Sequence, residues 1–302
     1  MNKNTRGSII LLITALIWGT TFVVQSSAMD DIGPLLFLVT RFFLGGLSLL
    51  PVIFFMHKKR LRDGSLNNEQ ISSLNKYSVK AGFICGLALM AAAALQQYGL
   101  ITTSAGKAGF ITAIYIVLVP IAGFFIGKRI PKATWISVII AIVGFYLLSI
   151  KEGFSIETGD FLCLLCAFGF TVQILLVDHF MENKADALIL SCTEFFTVSA
   201  VLFFPMLVVE GFHFNLIKNA AFSILYCGIM ASGVAYTFQV IGQRDTSPAM
   251  ATLLMSLESV FAALSGWLLL GEKLTLRELA GCILVFIGVI IAQLAQPASD
   301  KA

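Results

Sequence analysis

The sequence predicts an all-α polytopic membrane protein with ten transmembrane helices, arranged as two inverted repeats of five helices. Of the 302 residues, 58% are hydrophobic and only 12% are charged, whereas a soluble domain carries about 25% charged residues. The apolar residues form runs of about 20 residues, the length that crosses roughly 30 Å of hydrocarbon. An internal repeat, in which the second half of the chain resembles the first, indicates the five-helix units.

The predicted spans follow the apolar runs. They cover residues 8–27, 35–56, 80–100, 106–126, 133–150, 158–178, 187–209, 218–241, 248–270 and 276–294. Most linkers are short, so consecutive helices are expected to be antiparallel neighbours. The longest connection, 57–79, is polar and is predicted to be partly helical or mobile.

The basic residues predict the orientation of the chain. With the N-terminus in the cytoplasm, the inner segments of the first half carry eleven Lys and Arg, and its outer loops carry only Lys107 and Lys151. Short cytoplasmic loops are enriched in Lys and Arg, so both termini are predicted to be cytoplasmic, in the cytoplasmic (inner) membrane. Because these residues orient the helices, the net charge of +3 does not indicate nucleic-acid binding.

The repeat predicts two domains, 1–150 and 151–302. The stretch Thr103–Ser149 returns near the C-terminus at an offset of 144, which matches Ile114 with Glu258. Thr40–Phe43 matches Thr193–Phe196 at an offset of 153. Five spans are an odd number, so the second copy must be inverted relative to the first.

Inverted repeats are typical of secondary transporters that work by alternating access, in which one central site faces each side of the membrane in turn. The alternative is a non-transporting membrane scaffold or a subunit of a larger complex. An enzyme is not predicted, because the three histidines lie at span ends or in loops and no HExxH or GxSxG motif is present. For the same reason we expect no cofactor and no metal, and Cys163-x-x-Cys166 is interpreted as packing.

Ionisable residues inside spans are costly and are functional candidates. Glu258 lies near the middle of span 9 and Glu194 lies within span 7, and both are candidates for proton coupling. Arg41 in span 2 and Lys107 at the start of span 4 are candidate charge partners or gates. The alternatives are interhelical hydrogen bonds for the carboxyl groups and interfacial positions for the cations.

Polar and aromatic residues within spans predict a central cavity, because amides and hydroxyls that face lipid would lack partners. The substrate-cavity candidates are Trp18, Gln96, Tyr98, Tyr115, Gln173, Tyr236 and Gln239. Interhelical hydrogen bonds are the alternative for each of them.

Several short motifs support one family. They are Ala15–Gly19, Arg41–Phe43, Thr103–Phe110, Leu118–Pro120 and Leu270–Thr275. Through these motifs and its ten spans, the chain resembles the EamA family of the drug/metabolite transporter superfamily. The resemblance implies a small-molecule solute such as an amino acid or a related polar or amphipathic compound. It implies export or uptake, of which we expect export, driven by proton exchange or by the gradient of the solute. Two features depart from the family pattern: span 9 has no proline beside Glu258, and the second copy lacks the Trp-Gly of Trp18-Gly19.

Overall fold

The computed structural model describes residues 3–65, 67–149, 157–270 and 275–294, and the ordered structure in these ranges is helical. The helices are α1 (Lys3–Ala28), α2 (Pro34–Arg62), α3 (Asn68–Gly99), α4 (Ala105–Thr112), α5 (Tyr115–Phe125), α6 (Lys132–Ser149), α7 (Thr158–Glu182), α8 (Ala187–Val209), α9 (Phe214–Asn219), α10 (Ala221–Leu225), α11 (Thr237–Arg244), α12 (Pro248–Met255), α13 (Leu257–Leu270) and α14 (Leu276–Leu294). A π-helical segment, Tyr226–Tyr236, joins α10 to α11.

In the described ranges, nine helical stretches are long and apolar enough to cross a membrane, and Lys132–Leu148 is a tenth, shorter apolar helix. The predicted fold class is therefore confirmed. The polar connection at 57–79 is partly helical, as predicted, because α2 continues to Arg62 and α3 already begins at Asn68. Asn67 and Gln70 form a capping box, which satisfies the free backbone N–H groups at the start of α3.

Spans 4 and 9 are each broken into two helices. Ser104 is the N-cap of α4 and Ser247 is the N-cap of α12, with closely similar extended backbone angles, and each following helix has eight residues. Counted from these caps, the repeat offset is 143 up to the break and not 144. The first copy has one residue more at the break, where Ala113 and Ile114 form a turn and the second copy has only Ser256, so the helices beyond the break begin at Tyr115 and at Leu257.

The two halves pack with pseudo-twofold symmetry. Helix α1 of the first half contacts α13 and α11, and its counterpart α7 contacts α5 and α3. Helix α2 contacts the π-helical segment, and its counterpart α8 contacts α3. The remaining extensive contacts, α2 with α8 and α6 with α14, join equivalent helices. This pairing places spans 1, 3, 4, 6, 8 and 9 around the centre.

Close backbone contact joins α6 to α14. A Cβ atom on Gly144 would lie 2.8 Å from the carbonyl oxygen of Gly281, and a Cβ on Gly281 would lie 2.6 Å from that of Gly144. Glycine is needed at both positions, since small residues let membrane helices approach closely.

Polar contacts hold α2 against α8 at both ends. The Glu210 carboxylate accepts hydrogen bonds from the backbone N–H groups of Leu35 (2.9 Å) and Leu36 (2.8 Å) at the start of α2. At the other end, Arg60 forms an ion pair of 2.6 Å with Asp186, the N-cap of α8. The equivalent helices α2 and α8 are therefore joined at both ends beside the central spans.

Candidate functional site

A cavity lies between the two halves, and the space free of protein atoms there, including the part that is open to solvent, is about 490 Å³. Its lining residues come from spans 1, 2, 3, 4, 6, 8 and 9. They are Trp18, Thr21, Phe22, Gln25, Arg41, Gln96, Thr112, Tyr115, Phe170, Ile174, Ala231, Tyr236, Gln239, Met255 and Glu258. The wall thus combines one cation, one carboxyl group, several amides and hydroxyls, and a set of aromatic rings.

Glu258 lies in the first turn of α13, directly after the break in span 9. Its side chain is buried, with the residue 3% exposed, and its Oε1 accepts a hydrogen bond of 3.1 Å from the hydroxyl of Tyr115. This bond joins the two broken spans directly after their breaks. Gly19 allows α1 to approach the backbone here, because a Cβ at that position would lie 2.7 Å from the carbonyl oxygen of Glu258.

Arg41 reaches the same cavity from α2 and is also 3% exposed. It donates a hydrogen bond from Nη1 to Oε1 of Gln25, and its guanidinium carbon lies 4.6 Å from the centroid of the Phe42 ring. Its Nε has no hydrogen-bond partner in the described part of the chain. Among the described residues, neither Arg41 nor Glu258 forms an ion pair.

Aromatic rings form one wall of the cavity. Trp18 and Tyr236 meet edge to face with ring centroids 4.7 Å apart, and the Tyr236 ring also lies 6.1 Å from Phe195. The indole N–H of Trp18 donates to the carbonyl oxygen of Ala231 at 3.4 Å, within the π-helical segment. Such segments recur at functional sites because they redirect backbone groups.

A chain of amides leads from the cavity to Glu194. Gln239 donates from Nε2 to Oε1 of Gln173 (3.0 Å) and to Oε1 of Gln243 (3.0 Å). Gln173 in turn donates to Oε1 of Glu194 at 2.9 Å. Glu194 is 0% exposed, and both its Oε2 and the Oε1 of Gln239 have no hydrogen-bond partner in the described structure.

Seven of the eleven sequence-predicted site residues line the cavity. They are Trp18, Arg41, Gln96, Tyr115, Tyr236, Gln239 and Glu258. The structure does not bring the other four to it. Gln173 and Glu194 lie behind Gln239, and Tyr98 is on α3 outside the lining.

Lys107 is at one end of the bundle and not in the cavity. Its Nζ lies 2.5 Å from Oδ2 of Asp160 in the first turn of α7, and the hydroxyl of Thr103 donates to the same carboxylate at 2.9 Å. At the opposite end of span 4, Lys128 pairs with Asp178 and, at 3.1 Å, with Glu182. Ion pairs therefore join span 4 to span 6 at both ends.

Sequence reasoning missed part of the lining, mainly apolar side chains. The lining residues outside the predicted set are Thr21, Phe22, Gln25, Thr112, Phe170, Ile174, Ala231 and Met255. Thr112 accepts a hydrogen bond of 3.3 Å from Gln96, which was predicted to line the cavity. In the described ranges, no group of three His, Cys, Asp or Glu side chains could hold a metal ion.

Comparison with known families explains this arrangement. The model of the EamA-like transporter family matches residues 5–150 and 157–293, so one copy of the family pattern covers each half. The chain belongs to this family. EamA-like proteins are two-repeat helical transporters, and transport of a small-molecule solute across a lipid membrane is therefore the function class of the chain.

Two similar prokaryotic proteins are also named as transporters. A protein of Archaeoglobus fulgidus named as an uncharacterized transporter is 33% identical over 285 residues, which cover 94% of this chain and 84% of the relative. The uncharacterized transporter YoaV of Bacillus subtilis is 24% identical, with 93% of this chain and 94% of YoaV covered.

A plant relative and a solved structure extend the comparison. The WAT1-related protein At5g40210 of Arabidopsis thaliana is 23% identical, with 94% of this chain and 86% of the relative covered. One crystal structure of a protein with 16% identity matches with a TM-score of 0.75 over 96% of this chain and 97% of the other. At that identity, the match supports the fold alone.

Proposed function

We propose that the protein is a secondary transporter that exports an amino acid or a related polar or amphipathic metabolite across the cytoplasmic membrane by alternating access. The observation that carries this proposal is the cavity between the inverted halves, in which buried Arg41 and Glu258 have no ionic partner among the described residues. Buried charges without a partner are costly and mark substrate or ion sites in membranes.

The broken spans support alternating access. Helix α4 contacts α13 on one side of the breaks, and α5 contacts α12 on the other side. The cavity thus lies between two contact zones, each made by one part of span 4 and one part of span 9. Separating one zone while the other stays closed would open the cavity to one side, with the turns at 113–114 and at Ser256 as hinges.

Glu258 is the proposed site of proton exchange. Its carboxyl group faces the cavity and has one hydrogen bond, from Tyr115, so it can gain or lose a proton when the cavity opens. Glu194 remains a second candidate, but a proton would have to reach it past Gln239 and Gln173.

The proposed topology follows from the basic residues. We place both termini in the cytoplasm on the Lys and Arg bias of the first half. We divide the chain into repeats at 1–150 and 151–302 on the internal sequence repeat, and this boundary lies outside the described residues. In this orientation the Lys107–Asp160 pair is on the outer side and the pair of Lys128 with Asp178 is on the inner side.

The direct test is solute flux in proteoliposomes that contain the purified protein. Vesicles are loaded with a mixture of the twenty common amino acids, and uptake of the same labelled mixture is followed as counterflow. We expect counterflow in wild type and its loss in Glu258→Gln, with Glu182→Gln as the matched control, since Glu182 is 55% exposed at a helix end. A folded wild type that shows no flux of these or other candidate metabolites would favour the scaffold alternative.

Export is tested with vesicles of defined orientation. Inside-out membrane vesicles should take up the solute when their interior is acidified, because solute then leaves the cytoplasmic side as protons return. Uptake only by right-side-out vesicles under an inward proton gradient would contradict export.

A further inference from the structure

We propose that the cavity selects a zwitterionic solute, whose carboxylate binds Arg41, whose ammonium group binds Glu258, and whose uncharged side group packs on the aromatic wall. The inference rests on the proposed transport function and names the substrate class of the same cavity. It is carried by two opposite charges that share one cavity without pairing with each other.

Arg41 is prepared to bind a carboxylate. Gln25 and the Phe42 ring hold the guanidinium group from two sides, but Gln25 occupies only one of its five N–H donors. The Nε donor is buried and has no partner among the described residues. A planar guanidinium group binds carboxylates through two parallel hydrogen bonds, which a lysine cannot reproduce.

Glu258 is suited to an ammonium group. Its carboxylate accepts one hydrogen bond, from Tyr115, whereas a carboxylate offers about four acceptor positions. The Trp18 and Tyr236 rings in the same lining also favour a cation in the cavity. A carboxylate that binds an ammonium group cannot hold a proton at the same time, which agrees with the proton exchange proposed for Glu258.

Charge compensation distinguishes a zwitterion from other solutes. When Glu258 is ionised, a simple anion would leave its carboxylate without a partner, a simple cation would leave Arg41 without one, and a neutral solute would leave both charges without partners. Burying an uncompensated charge is strongly unfavourable. A zwitterion compensates both groups and keeps the cavity neutral overall.

The rest of the lining restricts the side group. Phe22, Phe170, Ile174 and Met255 are apolar, and the described lining has no third charged residue. A charged side group would therefore be excluded, whereas an aliphatic or aromatic group would bury apolar surface. Phenylalanine, leucine and methionine are the natural probes of this class.

The test compares each probe with two analogues that lack one charge. Binding of phenylalanine, phenylalaninamide and N-acetylphenylalanine to the purified wild-type protein is measured by thermal shift and by competition, and the series is repeated for leucine and methionine. We expect at least one parent amino acid to bind roughly 10- to 100-fold more tightly than either analogue, the effect of hydrogen bonds to charged groups. Equal binding of a parent and its analogues, or preference for an analogue, would overturn the proposal.

Two variants assign each charge to its residue. Arg41→Gln should abolish the preference for the parent over its amide and keep the preference over its N-acetyl form, and Glu258→Gln should do the reverse. Glu182→Gln should keep both preferences. Arg41→Lys should keep part of the first preference, and loss of both preferences in either cavity variant, with the protein still folded, would contradict the assignment.

The outcome separates this inference from the proposed function. Counterflow of amino acids without any dependence on their two charges would refute the zwitterion site and leave transport intact. Absence of all flux would refute the transport proposal itself. Because the analogue series is measured on wild type, the result stands even where a variant fails to fold.

Discussion

Glu258 and Glu194 are both buried in the second half of the chain, but their surroundings differ. Glu258 lines the cavity and is contacted by Tyr115 of the opposite half. Glu194 has no exposed surface and is separated from the cavity by Gln173 and Gln239. Burial alone therefore does not distinguish the two residues, and contact with the cavity is what separates a candidate transport site from an interior polar contact.

The helices that carry the two residues also differ. Glu258 follows the break between α12 and α13, where a hinge is proposed, whereas Glu194 is inside the continuous helix α8. Asp186 and Glu210 hold α8 against α2 near its two ends. A change of access is thus expected to move Glu258 relative to Tyr115 and to leave Glu194 in a fixed frame.

The largest effect is expected from Glu258→Gln. We predict that flux driven by a pH gradient falls by about 100-fold or more, because removing one partner of a buried charge contact costs about 2–5 kcal/mol. The measurement is proton-driven solute flux at several pH values. Wild-type flux across the pH range would refute a role for this carboxyl group, and the exposed Glu182→Gln gives the matched control.

Tyr115→Phe should have an intermediate effect. It removes the hydrogen bond that Glu258 receives and leaves the aromatic wall in place, so we expect flux to fall by about tenfold. The control is Tyr98→Phe on α3, which lies outside the cavity lining. Equal losses in the two variants would mean that the Tyr115–Glu258 bond has no special role.

Glu194→Gln should change transport least. An amide can still accept a hydrogen bond from Gln173, and Glu194 does not line the cavity, so flux is expected to stay within about threefold of wild type. If Glu194→Gln instead abolishes proton-driven flux, Glu194 takes part in proton exchange, and Gln239 and Gln173 connect it to the cavity.

A double-mutant cycle tests the structural role assigned to Glu194. Glu194→Ala and Gln173→Ala should each destabilise the fold, and their effects should be non-additive by about 1 kcal/mol because the two side chains share one hydrogen bond. The measurement is the free energy of unfolding in mixed micelles. Additive effects would show that the contact does not stabilise the protein.

Sequence patterns predicted the spans, the inverted repeat and much of the cavity, because burial of an amide, ring or charge in lipid is costly enough to leave a clear signal. They could not assign each polar residue to a helix face. Gln96 and Tyr98 are two positions apart and point about 200° apart around α3, so only one of them lines the cavity. To assign a residue to the face of a helix that lines the cavity, the positions of the neighbouring helices must be known.

The apolar lining and the helix breaks were also beyond sequence reasoning. Phe22 and Phe170 cannot be distinguished from packing residues, because the membrane interior and a cavity wall favour the same side chains. The breaks at 113–114 and at Ser256 have no proline or glycine at the turn itself. They became visible through the matched caps Ser104 and Ser247.

The most direct test of the account compares Glu258→Gln and Glu194→Gln in one counterflow experiment, at equal protein amounts in the same lipids. The account predicts that the labelled amino-acid mixture enters vesicles that contain Glu194→Gln at nearly the wild-type rate and fails to enter those that contain Glu258→Gln. Loss of counterflow in both variants, or its retention in both, would contradict the claim that contact with the central cavity makes Glu258 the transport site.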